Sequence, residues 1–237
     1  MTPEVLTALI DATWPSAGMT EAGGFAIRRG MGAGSRVSAS TALIRGSGDI
    51  AKAEAAMLAL GQSCLFMVRA GEEALDADLA KRGYVIKDPV SAYAASPDSL
   101  TTEPVPPLTC IDAWPPLAIM TEIWAAGGIG PARLAVMERA GGPKTSILGR
   151  AGDRAAGTLF VALDGPTAMV HAIEVLPRFR RQGVAARMIR RAAFWAAERG
   201  ARRVMLLVTT ANPANALYSG LGMAAEAGYH YRIKEAT

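Results

Sequence analysis

Apolar residues recur at two spacings along this chain of 237 residues, and the change from one spacing to the other predicts its elements. Steps of three and four predict helices over about 3–13, 49–60 and 72–82, and a helical region over 114–140 that is interrupted by Gly127, Gly128 and Gly130. The clearest stripe is Val184, Met188, Ala192 and Trp195, with Arg187, Arg190, Arg191 and Glu198 on the remaining faces and Gly200 as the stop. Short apolar runs predict strands around Phe25–Arg29, Arg36–Ile44, Leu65–Arg69, Tyr84–Ile86, Val90–Ala94, Ser146–Arg150, Thr158–Leu163, Ala168–Leu176 and Arg203–Thr209. A short helix and a last strand reaching Ile233 complete a mixed α/β pattern.

The pattern divides once. Residues 96–107, Ser-Pro-Asp-Ser-Leu-Thr-Thr-Glu-Pro-Val-Pro-Pro, offer few groups that pack and predict a linker between a half at 1–95 and a half at 108–237. The halves echo each other. Leu65-Phe66-Met67-Val68 precedes Gly83-Tyr84 much as Leu206-Leu207-Val208 precedes Gly222-Met223, a strand, short helix, glycine turn and strand in each case. The glycine-rich stretch Arg28 to Arg36 lies between two strand patterns and predicts a flexible hairpin connection.

A hydrophobic content of 51% excludes general disorder, and the net charge of +4 is concentrated in arginines between Arg178 and Arg203. No aromatic platform is interleaved with them, so an anionic cofactor accounts for the charge and no nucleic acid partner is expected. Cys64 and Cys110 form no C-x-x-C pair, and His171 and His230 have no clustered partners, so reduced thiols and no metal are expected. No leader pattern opens the chain and no run approaches the roughly 18 apolar residues of a membrane span, which predicts a soluble, cytoplasmic protein with no membrane partner.

The chemistry concentrates at Val175-Leu176-Pro177-Arg178-Phe179-Arg180-Arg181-Gln182-Gly183-Val184-Ala185, a turn between a strand and a helix start. Backbone N–H groups there have no intrahelical partners, the helix dipole adds about half a positive charge, and Gly183 lets the chain approach a bulky anion. There is neither a Gly-Lys-Ser/Thr phosphate loop nor a G-x-G-x-x-G followed by an acid, so nucleotide loops of those two kinds fit poorly.

The spacing Arg180-x-x-Gly183-x-Ala185 after Val-Leu-Pro resembles the acetyl-CoA signature of the GCN5-related N-acetyltransferases (GNAT). The run Asn212-Pro213-Ala214-Asn215-Ala216-Leu217-Tyr218-Ser219-Gly220-Leu221-Gly222-Met223 is similar to that family's later motif, and the likeness spans about residues 108–237. The resemblance implies an α/β (α+β) fold of two GNAT-like lobes, each a mixed, mostly antiparallel sheet flanked by helices. The first is degenerate: Leu79 stands where Tyr218 stands, and the helix near 51–60 has no R-x-x-G-x-A entry.

The resemblance further implies acetyl-CoA as cosubstrate, with Val175, Arg180, Arg181, Gln182, Gly183, Val184, Ala185 and Asn212 as its contacts. In the family the Val175 strand splays from the next one to admit the pantetheine arm, and Tyr218 protonates the departing thiolate. His171 and Glu174 are the candidate bases, with ordered water in place of a direct base as the alternative the family offers; three residues apart in a strand, the two are expected on opposite faces, so that only one reaches the acceptor. Asn212 departs from the family spacing and is expected to cap the short helix, with Pro213 at its first position. The expected activity is direct acetyl transfer to a primary amine of a small molecule or peptide in a ternary complex, by a monomer or homodimer; the alternative is a non-catalytic acyl-CoA-binding regulatory module.

Overall fold

The computed structural model describes residues 1–234. Up to the linker the elements are α1 (Pro3–Thr13), β1 (Met19–Ala22), β2 (Phe25–Arg28), α2 (Ser35–Ser38), β3 (Thr41–Ala42), α3 (Ile50–Ala59), β4 (Cys64–Arg69), α4 (Glu73–Lys81) and β5 (Val85–Ala95). Then come α5 (Pro97–Leu100), β6 (Cys110–Ala113), α6 (Ala118–Ala126), α7 (Pro131–Arg139), β7 (Lys144–Ala151), β8 (Arg154–Asp164) and β9 (Thr167–Val175). A 3₁₀ turn at Pro177–Phe179 leads to α8 (Val184–Ala197), β10 (Arg203–Thr209), α9 (Asn215–Gly220) and β11 (Ala224–Lys234).

Eight strands form one mixed sheet in the order β4-β11-β5-β10-β9-β8-β7-β6, and β1-β2-β3 form a small second sheet. The sequence echo becomes geometry in the centre of the large sheet. Strands β5 and β11 are each eleven residues long and each begins two residues after its glycine, Gly83 or Gly222. They pair antiparallel with each other, and each also pairs with the other repeat's preceding strand: β5 with β10, β11 with β4. β5 therefore lies between two strands of 108–237 and β11 between two strands of 1–95, and the hydrogen-bonded ladder runs without a break through residues from both sides of 96–107.

Residues 96–107 themselves pack more than their composition predicts. Ser96 caps α5 by accepting from Ser99 N, Leu100 is buried in the core against α8, and Glu103 pairs with Arg190. The glycine-rich stretch is not a plain hairpin connection either. Gly30 approaches Ser38 so closely that a Cβ would lie 2.6 Å from that residue's Cβ, and the chain then enters α2, which puts Arg36 on a helical turn instead of a strand. Arg28 anchors the start of this loop through two bonds to Asp11 (2.7 and 2.6 Å) and through the Ala39 carbonyl and the Thr41 hydroxyl.

The large sheet is covered on both faces. On one, α8, α5 and α9 pack over β8, β9 and β10 through Met188, Ala192, Trp195 and Tyr218 against Leu159, Val170 and Leu206. On the other, α1 brings Leu6, Leu9 and Ile10 onto Met169, Met205 and Ala94, while α6 and α7 bury Trp124 and Met137 against Phe160. Such double cover explains why the strands read as apolar runs.

Candidate active site

Strands β9 and β10 run parallel, but their pairing stops at Val170–Leu206, although β9 continues to Val175 and β10 to Thr209. A notch opens between them, pointing at the start of α8. Leu176 N donates to Ala156 O on the β8 side, so by strand alternation the N–H and C=O of Val175 face the notch. The Val175 carbonyl is taken by Arg180 Nε at 3.0 Å, and its N–H faces the opening.

Beyond the notch the backbone turns through two left-handed residues, Arg181 (φ 62°) and Gly183 (φ 74°). The N–H groups of Arg181, Gln182, Gly183, Val184, Ala185 and Ala186 find no acceptor among the described residues. Six successive free donors at a helix N-terminus, with Gln182 and Gly183 exposed, make a cradle for a phosphate anion. The surrounding cations are less mobile than their number implies. Arg187 is stapled to the carbonyls of Gln182 (3.1 Å) and Arg150 (3.2 Å), Arg191 to Asp112 and Glu198, and Arg180 to Val175 and Glu174 (3.3 Å). Arg181 is left exposed without an ion-pair partner, and Gln182 Nε2 donates to Arg178 O, closing the turn.

Tyr218 is buried on the α8 side of β10, its ring 5.8 Å from that of Tyr93 on β5. Its hydroxyl makes no hydrogen bond within the described residues, and burial pushes its pKa up to about 12. The helix that carries it begins at Asn215, not after Asn212. Asn212 Oδ1 accepts from Ala214 N (2.9 Å) in the preceding turn and does not cap the helix, while Asn215 Nδ2 donates to the carbonyls of Thr209, Thr210 and Asn212. Asn215, which sequence reasoning passed over, thus ties the tyrosine's helix to the end of β10; an asparagine four residues into an Asn-Pro turn is the signal that was available.

The two candidate bases correct an expectation. Ala172 has φ 50° and forms a bulge: Phe160 faces His171 while Thr158 faces Glu174, so two residues of β8 span three of β9. Cross-strand partners share a face, and the extra residue brings His171 and Glu174 onto the same face, the one covered by α6 and α7. Trp124 Nε1 holds the bulge by donating to Ala172 O at 2.7 Å.

Their surroundings differ. His171 is 2% exposed, stacked on Trp14 at 4.9 Å, with Nε2 3.0 Å from Thr13 Oγ1 and Nδ1 3.2 Å from Arg36 Nη1. Thr13 spends its own proton on Leu9 O, so it accepts from Nε2–H, and Arg36 has only protons to give, so Nδ1 accepts. That fixes a neutral tautomer, and burial with the Arg36 charge holds the imidazole pKa well below its usual value. With both nitrogens taken and no route to solvent, the ring acts as a spacer between α1, α2 and β9. Glu174 is half-buried beside Gly127 in the α6–α7 turn, where a Cβ would meet its carboxylate at 2.4 Å, so the glycine makes room for it.

The corresponding place in the first half is filled. Ser40 pairs parallel with Phe66, but beyond it Arg69 reaches across to Ala42 O while bonded to Glu72, which is fully buried. At the start of α3, where α8 has free donors, the carboxylate of Asp49 accepts from Lys52 N.

The model of the acetyltransferase (GNAT) family matches residues 120–223. A GCN5-related N-acetyltransferase from Kribbella flavida superposes with a TM-score of 0.73 at 20% identity, covering 100% of this chain and 97% of that one. A functionally unknown conserved protein from Staphylococcus epidermidis gives 0.72 at 12% identity, over 96% and 97%. A tandem GNAT protein from the clavulanic acid biosynthesis pathway gives 0.58 at 15%, over 78% and 68%. At these identities the likeness is one of fold. No curated protein matches the chain.

Proposed function

We propose that this chain, whose residues 120–223 match the model of the acetyltransferase (GNAT) family, transfers the acetyl group of acetyl-CoA to a primary amine by direct attack in a ternary complex. The observation that carries the reading is the alignment of the β9–β10 notch with the six unpaired N–H groups that begin α8. A pyrophosphate on the N–H groups of Arg181 to Ala186 directs the pantetheine arm into the notch, where the Val175 N–H meets the thioester carbonyl. Arg180 fixes the geometry of that strand end through Val175 O rather than holding the phosphate, and Asn212 shapes the turn before α9 without a bond that marks it for the cofactor.

The amine nitrogen adds to the thioester carbon, and the tetrahedral oxygen gathers charge opposite the Val175 N–H. Collapse breaks the C–S bond, and the thiolate takes the Tyr218 proton. A phenol at about 12 is a weak acid for an exposed thiolate, but the apolar surroundings that raise the tyrosine raise the basicity of a thiolate beside it as well. The amine's surplus proton passes to Glu174, whose Oε1 accepts from Arg180 while Oε2 has no partner among the described residues, and from there to solvent; His171 is assigned a packing role. The acceptor enters from the α6–α7 side, on the face that Glu174 occupies. The test is thiol release from acetyl-CoA over a panel of primary amines. Turnover supports the reading, and acetyl-CoA binding without release for any amine would favour the non-catalytic acyl-CoA-binding module.

A further inference from the structure

Six buried or half-buried arginines are neutralised by carboxylates: Arg28 by Asp11, Arg69 by Glu72, Arg190 by Glu103, Arg191 by Asp112, Arg203 by Glu226 and Arg232 by Asp76. Arg36 is not. It has no carboxylate within 4 Å among the described residues, and its one hydrogen bond goes to the Nδ1 of a histidine locked neutral from its other side. Its Nε is buried without a partner, while Nη2 makes no bond and is not among the enclosed orphan atoms, so that edge meets solvent. A guanidinium pinned at one corner, uncompensated and open at another is costly unless an anion completes it.

Its position identifies the anion. Arg36 stands on the acceptor face of the sheet, against His171, and near enough to Tyr231 of β11 to bear on that hydroxyl's ionisation. His171 and Glu174 share that face, two cross-strand positions apart on β8, a separation on the order of 7 Å. The far end of the same face is closed by α1, through Leu6, Leu9 and Ile10. Resting on the acetyltransferase reading above, we propose that Arg36 is a specificity-determining residue that binds a carboxylate of the acceptor, so that the substrate is an amine carrying a carboxylate several bonds from its reacting nitrogen. The glycine-rich stretch of the first half then has a purpose: it delivers a cation to the second half's acceptor cleft.

The experiment compares matched acceptors whose amines have similar basicity: 5-aminopentanoate with pentylamine, 6-aminohexanoate with hexylamine, and alanyl-alanine with its C-terminal amide. The expected wild-type kcat/KM favours each carboxylate by about tenfold or more, an increment typical of one charge-assisted contact. Arg36→Gln should bring the ratio to within about twofold of unity by raising KM for the carboxylates alone, and Arg36→Lys should retain part of it. A parallel calorimetric titration of N-acetyl-alanyl-alanine and its amide onto the CoA-saturated protein reads the same preference without turnover. No carboxylate preference in either measurement, or a preference that survives Arg36→Gln in a variant with normal melting temperature, overturns the proposal. Failure of the acetyltransferase reading shows itself separately, as absent thiol release while the binding preference persists.

Discussion

Tyr218 and Glu174 carry the proton transfers in this account, and their substitution separates chemistry from binding. Tyr218→Phe should lower kcat by about a hundredfold, the usual scale for losing a general acid, while acetyl-CoA affinity stays within about twofold; calorimetry beside a thiol-release assay makes the comparison, and unchanged kcat removes the tyrosine from the mechanism. Because burial holds its pKa at about 12, Tyr218 stays protonated through the ordinary assay range, and no alkaline decline of kcat below pH 10 is expected from it. His171 makes the opposite kind of prediction. Its folded pKa lies well below the 6.5 of the unfolded chain, so as pH falls through 6.5 the unfolded state takes up a proton that the folded state refuses. Stability should therefore decline on the acid side beginning near pH 6.5, above the carboxylate range, and His171→Gln should flatten that limb in chemical denaturation curves. A pH-independent wild-type stability between 5 and 6.5 contradicts the neutral, enclosed ring.

At the scale of elements, the turn before α8 was legible because its signals are local: Pro177 stops a strand, Gly183 permits a left-handed residue, and the stripe from Val184 to Trp195 faces the sheet. The loss of pairing beyond Val170 and Leu206 was expected from family resemblance rather than from composition. The bulge at Ala172 was not legible, since alanine carries no mark of a positive φ, and without the bulge the faces of His171 and Glu174 come out wrongly divided. Gly183→Ala should test the cradle. An alanine at φ 74° costs roughly 1 kcal/mol of backbone energy, and its Cβ would lie 3.1 Å from Arg187 Nη1. The expected result is an acetyl-CoA Kd raised about tenfold or more with a melting temperature lowered by only a few degrees. Unchanged affinity would place the phosphates elsewhere.

At the scale of the molecule, the echo of Gly83-Tyr84 in Gly222-Met223 was visible, but the interleaving of β5 and β11 was not, because strand pairing between distant segments leaves no local trace in either strand. The Pro-rich stretch 96–107 reads as a boundary, yet the ladder on both sides of it is shared. Residues 1–95 and 96–237 produced separately should each lack a central strand and fail to fold cooperatively, whereas their coexpression should restore a complex with the thermal transition of the intact chain. Two independent cooperative transitions from the separated pieces would contradict the interleaved sheet. Through the shared sheet the first half supplies β5 beside β10, Tyr93 beside Tyr218, and Thr13, Trp14 and Arg36 around His171.

One cofactor cradle in the second half and none in the first is the arrangement proposed for the whole molecule, and calorimetric titration of acetyl-CoA into the intact chain reads it directly. One equivalent should bind per chain, lost or strongly weakened by Gly183→Ala; two equivalents, or a single one indifferent to Gly183, would contradict it.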